Sequence, residues 1–235
     1  MDQLTSYIIF HKKLFPENTP NLPCFIYLGA NEHVKKEIDM TTLKHPVIYE
    51  YELPSYNPMY QMLMFYDNSV YLNVPPPPTP FVGFCQYDMC INEEKYSLIF
   101  KYLDNSKKMV GFYPYNVQTI QDVLRKEQWN EILDIYNVMN NTIHTLDDFN
   151  EYPFFLMNTW ILPSWFYRKL QLTLHKVLPT ICKFLNYNMR HMAGTLERTN
   201  ALIIACALKE NTLIGVMSDA IIENRSQTMF DTFRD

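Results

Sequence analysis

Short apolar runs bounded by polar residues alternate along the chain with stretches of three- and four-residue apolar spacing, which predicts interleaved strands and helices. "SYIIF" (6–10), "CFIYLG" (24–29) and "PVIYEYEL" (46–53) read as strands, the first two as buried ones. "YNPMYQMLMFYDNSVYLN" opens on Asn57 and Pro58, a strong N-cap followed by a residue suited to the first helical position, so a helix starts there. Pro75 to Pro78 and Pro80 impose a stiff extended connector, and "PFVGFCQYDMCI" follows as a strand. Residues 93–103 and 117–139 read as helices, the second from the spacing of Ile120, Val123, Leu124, Trp129, Ile132, Leu133 and Ile135. "PFFLMNTWIL" (153–162) reads as a strand, 164–186 and 195–209 as helices, and "ENRSQTMFDTFRD" as a polar, peripheral end. There is no internal repeat. Strands alternating with helices in the first half predict an α/β core with a more helical C-terminal part.

Composition narrows the function classes. A chain of 235 residues with 48% hydrophobic and 15% aromatic content can bury one substantial core, which predicts a single domain over 1–235. A net charge of -5 carries no footprint for general nucleic-acid binding, and no dense Lys or Arg block marks an acidic membrane surface. The cysteines Cys24, Cys85, Cys90, Cys182 and Cys206 are scattered without a CxxC pair, as expected of reduced, buried thiols in a cytoplasmic protein. The N-terminal "MDQLTSYIIFHKK" is unlike a secretion signal, and no segment offers a membrane span.

The order of motifs resembles the capsular-polysaccharide glycosyltransferase-like family. "IIFHKKLFP" matches that family's opening strand, with His11, Lys12 and Pro16, and "CFIYLGA" matches its next strand, with Gly29. "NPMYQMLMFYDN" matches its NP-Y helix, retaining Asn57, Pro58, Tyr60, Tyr66 and Asn68, and "FVGFCQYDMCI" matches its G-C-Y strand, retaining Gly83, Cys85 and Tyr87. "PFFLMNTWILPSWF" and "RHMAGTLERTNAL", with Arg190, Gly194, Glu197 and Arg198, complete a colinear match over about residues 7 to 208. The resemblance implies a GT-A-like, Rossmann-type mixed sheet flanked by helices. It further implies a nucleotide-binding half (1–92), an acceptor half (93–210) and a peripheral tail (211–235), with a nucleotide-diphosphate sugar such as a UDP-sugar as donor and Mn²⁺ or Mg²⁺ as cofactor. Two departures stand out: Gln86, Asp88 and Met89 replace the family's basic strand end, and Gln61 and Met62 stand where its helix carries an acid.

In an open α/β sheet, ligands gather beyond the carboxyl ends of the strands. His11, Lys12, Gly29, the Tyr56 and Asn57 helix start, Gln86, Tyr87 and Asp88 all fall at such ends and are expected to frame the nucleotide. GT-A enzymes carry a DxD acid at this strand end; "QYD" keeps its last position, so Asp88 is the candidate metal ligand, with a turn-forming or capping Asp as the alternative. On a helix expected to begin near Gly194, Glu197, Ala201, Ile204 and Leu208 share one face. Glu197 is thus a candidate base toward an acceptor hydroxyl. A capping role, or pairing with Arg190 or Arg198, competes with that reading. His191, Gly194 and Arg198 are candidate diphosphate contacts, and Trp160 and Trp165 are either an acceptor platform or core. The expected function is glycosyl transfer to a glycan hydroxyl with inversion. A non-catalytic nucleotide-sugar or glycan-binding module and a non-enzymatic interaction protein are the alternatives.

Overall fold

The computed structural model describes residues 3–10, 20–29, 46–48, 74–86, 89–123, 126–184 and 189–223. Its strands are β1 (Leu4–Phe10), β2 (Phe25–Gly29), β3 (Pro46–Ile48), β4 (Phe81–Gln86), β5 (Met89–Ile91), β6 (Lys108–Gly111), β7 (Pro114–Tyr115), β8 (Phe154–Phe155), β9 (Trp160–Pro163), β10 (Ile214–Met217) and β11 (Ile221–Glu223). Seven of them form one sheet in the order β10-β6-β9-β4-β1-β2-β3. Within it β9 runs antiparallel to β4 and β6, and every other pairing is parallel. The small pairs β5–β11 and β7–β8 are antiparallel. A mixed sheet with helices on its faces is the α/β, Rossmann-type architecture expected from the sequence.

Central β4 is buried from Phe81 to Cys85, as a strand covered on both faces must be, and therefore reads as a continuous apolar run. The described helices are α1 (Glu93–Ile99), α2 (Val117–Val123), α3 (Lys126–Asn140), α4 (Ser164–Phe184) and α5 (Met189–Lys209). Asn92 caps α1 by accepting the Lys95 N–H at 2.9 Å, and Glu93 and Glu94 lie in the first turn where the helix dipole favours acids. The buried Tyr96 hydroxyl of that helix meets Ser6 Oγ at 2.5 Å, tying α1 to β1. On the sheet, Phe84 packs against Tyr7, Trp160 and Tyr167 with ring centroids 5.1 to 5.3 Å apart. Trp160 is fully buried, so it is core and not an acceptor platform.

Several elements differ from the sequence reading. The segment expected as a helix over 117–139 is helical at Val117–Val123 and Lys126–Asn140, whereas the strand expected over 153–162 is two short strands parted by a turn in which Met157 (φ 64) and Asn158 (φ 46) are left-handed. α5 already runs from Met189, so Gly194 lies inside a helix instead of starting one, and Glu197 is too deep for a capping box. Ile214–Met217, read as part of the tail, adds edge strand β10 to the sheet. The helix expected after Asn57 lies outside the described residues.

Candidate functional site

Strand register sets the geometry. β1 pairs with β4 so that Ile9 faces Gln86, and with β2 so that Phe10 faces Gly29. Gly29 and Gln86 therefore end parallel strands at nearly the same level, about 10 Å apart at the usual strand spacing. β9 enters beside β4 from the opposite direction, with Trp160 facing Phe84, which carries the preceding turn at Met157 and Asn158 to the level of Gln86. The carboxyl ends of β2, β1 and β4 and this turn thus form one row, and Gln86 itself is half-buried.

The turn is held from above by α5. Glu197 Oε1 accepts the Met157 backbone N–H at 2.5 Å, and one turn further along the helix Asn200 Nδ2 donates to Asn158 Oδ1 at 2.8 Å. Thr159 Oγ1 donates to the Met157 carbonyl at 2.9 Å. Asn158, Thr159, Thr195, Thr199 and Asn200 are all buried, a concentration of polar side chains that a merely space-filling contact would not require. A left-handed methionine is sterically costly, so the turn exists because the surrounding bonds specify it. Glu197 is brought to the strand-end row by this contact, although the two lie 40 residues apart in the chain.

Gly194 and Arg198 are one helical turn apart, and a Cβ added at Gly194 would meet the Arg198 guanidinium at 3.4 Å. Glycine inside a helix costs about 1 kcal/mol relative to alanine, and a Cβ here would rest in ordinary van der Waals contact with the guanidinium, which folds back along the helix. Arg198 is half-buried and adjacent in sequence to Glu197, so an acid and a permanent cation share this part of α5. His191 belongs to the first turn of α5, but its side chain lies outside the described residues. His11, Lys12, Tyr56, Asn57, Tyr87 and Asp88 also lie outside them; Asp88 falls between Gln86 and Met89, where β4 gives way to β5.

Among the described residues no group of three or more His, Cys, Asp and Glu side chains could hold a metal ion. A mostly apolar cleft of about 270 Å³ opens between Tyr152, Phe155, Leu208, Leu213, Gly215 and Met217. Leu208 in its wall lies about 16 Å along α5 from Glu197 at the rise of an α-helix. Trp165 lies elsewhere: Ser164 bonds to Thr79 and Pro80 at the amino end of β4, which places Trp165 at the far side of the sheet.

Asn158, Thr159 and Asn200 were missed by the sequence reading. The one available signal was Asn158 itself, since asparagine is disfavoured within strands and enriched at left-handed positions.

No family model and no curated protein sequence matches the chain. Among solved structures, the chain is similar to the WbbM bifunctional glycosyltransferase in its apo structure, with a TM-score of 0.56 at 13% identity, over 92% of this chain and 44% of that one. At that identity the likeness establishes the fold alone, a Rossmann-like mixed α/β fold shared with that protein. The chain spans less than half the length of that protein. No described helix is long and apolar enough to cross a membrane.

Proposed function

We propose that the protein is a glycosyltransferase that moves a sugar from a nucleotide-diphosphate donor to a hydroxyl of a glycan acceptor. The observation that carries this reading is the Glu197 to Met157 bond, which fixes a carboxylate at the carboxyl end of the central strands of a fold shared with a glycosyltransferase. That is where an open α/β sheet collects its ligand.

In this scheme the nucleotide lies along the row from Gly29 to Gln86, with His11, Lys12, Tyr56, Asn57 and Tyr87 about it, and Arg198, His191 and the helix at Gly194 meet the diphosphate. Asp88 holds Mn²⁺ or Mg²⁺, whose contribution is to neutralise charge on the departing diphosphate. Glu197 is the base: it takes the proton of the acceptor hydroxyl as that oxygen bonds to the anomeric carbon, while the carbon–oxygen bond to the diphosphate breaks and its electron pair leaves with the nucleotide. The bond from the Met157 N–H orients the carboxylate toward the strand ends. A single placed base fits inversion at the anomeric carbon.

The test is release of nucleoside diphosphate from a panel of UDP-, GDP- and TDP-sugars with Mn²⁺, with product configuration read by NMR. Release with an inverted product is expected, and a retained configuration would remove Glu197 from the base role. A second reading, a binding module without turnover, draws on Gln86 standing where a DxD motif has its first acid. It requires donor binding with no release from any sugar in the panel.

A further inference from the structure

The 21-residue helix α4 contains Arg168, Lys169, Lys176 and Lys183 and not one Asp or Glu. The rest of the chain holds 16 basic against 25 acidic residues. Spaced one, seven and seven residues apart in sequence, these cations form no dense block. The helix gathers them. Its inner face, from Phe166 and Tyr167 through Leu170, Gln171 and Leu174 to Val177, is buried on the sheet, with Tyr167 Oη and Gln171 Nε2 both donating to the Val74 carbonyl. Its outer face is an exposed stripe of Trp165, Arg168, Lys169, Leu172, His175 and Lys176, at the i, i+3, i+4, i+7, i+10 and i+11 positions of one helical surface.

We propose that this outer face docks the protein on an anionic lipid bilayer. Apolar and basic residues alternate along one line: Trp165 is 45% exposed one turn before Arg168 and Lys169, and Leu172 is 59% exposed one turn before Lys176. Trp165 is pinned by its indole N–H to the Ser106 carbonyl at 2.7 Å, which keeps its ring at the surface, and Lys107 follows Ser106 in the same loop. In that loop Asp104 is paired with Lys108 at 2.7 Å, so its negative charge is already matched. A nucleic acid or an acidic glycan would use the cations and leave Leu172 in water. The headgroup and acyl boundary of a bilayer takes both, cations at the anionic headgroups and apolar side chains just below them. The inner face is committed to the core, so the contact is peripheral and shallow. It stands independently of the catalytic reading.

Flotation of the whole chain with vesicles of phosphatidylcholine alone, or of phosphatidylcholine with phosphatidylglycerol, tests it. Salt-sensitive binding to the anionic vesicles only is expected. Since a basic side chain at an anionic surface is worth roughly fivefold in binding, R168Q/K169Q/K176Q should lose on the order of 100-fold. Leu172→Ser, which leaves the charge unchanged, should weaken binding several-fold. All four positions are exposed, and a far-UV circular dichroism melt checks that the variants stay folded. Trp129 and Trp160 are fully buried, so quenching by lipids brominated in the acyl chain reads Trp165 among the three tryptophans. Equal binding to neutral vesicles, full binding by the triple variant, or binding that heparin abolishes and Leu172→Ser leaves unchanged would each overturn the proposal.

Discussion

Replacing Glu197 by alanine and by glutamine separates two roles of one carboxylate. The bond from the Met157 N–H to Glu197 is charge-assisted and part-buried, a class that contributes about 1.5–3 kcal/mol. It acts on a turn in which Met157 (φ 64) and Asn158 (φ 46) are left-handed, at about 1–2 kcal/mol per ordinary residue and less for asparagine. The two magnitudes are comparable, so this bond is a main contributor to holding the turn, beside those from Asn200 and Thr159. Glu197→Ala removes the acceptor and should cost about 1.5–3 kcal/mol, a fall of roughly 3–12 °C in Tm for a chain of this size. Glu197→Gln keeps an amide oxygen toward Met157, and since neutral hydrogen bonds have about half the strength of charge-assisted ones, it should cost only about 1 kcal/mol. Turnover should respond in the other sense: glutamine cannot take a proton, and loss of a positioned base lowers the rate by about 10²–10⁴. Urea melts followed by circular dichroism, together with nucleoside diphosphate release, measure both quantities. Undiminished turnover in Glu197→Gln would refute the base role, and an unchanged midpoint in Glu197→Ala would refute the claim that this bond helps hold the turn.

Gly111→Ala should destabilise by at least about 1–3 kcal/mol in the same melts, because the added Cβ would sit 2.1 to 2.4 Å from the fully buried Phe155 ring and neither group can yield cheaply; a neutral result would mean the ring moves. Asp148 accepts the Thr145 N–H, then the Thr145 hydroxyl, and faces Lys209, which together lower its pKa from 3.8 to about 2. Its stabilisation is therefore present above the ordinary carboxylate range and lost as pH falls through about 2. A carboxyl carbon titration by NMR should show that midpoint, and one near 4 would contradict the capping box. Burial pushes the Cys206 thiol up to about 12, with Glu210 adding to the effect, so iodoacetamide at pH 8 should modify half-exposed Cys90 well before Cys206. Equal rates would show that α5 opens readily.

The parts of the fold that could be read from the residues are those where one local rule dominates. "YIIF" of β1, "FIYL" of β2 and "FVGFC" of β4 are apolar runs because central strands are covered on both faces, and α4 shows its period over six turns. "KMVG" and "IGVM" were missed as β6 and β10 because four residues ending or interrupted by glycine carry no period of their own; they are strands only because a neighbour in the sheet completes them. The break inside 153–162 is a tertiary effect, imposed on Met157 and Asn158 by two side chains of a helix some 40 residues later. Glu197 was found through its helical stripe, while its partner at Met157 could not be, since a backbone N–H leaves no mark in sequence. The basic stripe of α4 was invisible for a related reason: charge was sought as a block, and a helix collects residues three and four apart onto one face.

Thermal unfolding across a panel of nucleotide-diphosphate sugars with Mn²⁺ tests most directly whether a donor binds at the strand ends. A donor at a hundredfold its Kd should stabilise the chain by about 2.7 kcal/mol, a Tm rise of roughly 5–11 °C, and the rise should shrink on Arg198→Ala. A panel in which no nucleotide sugar moves the midpoint would contradict glycosyl transfer at this site.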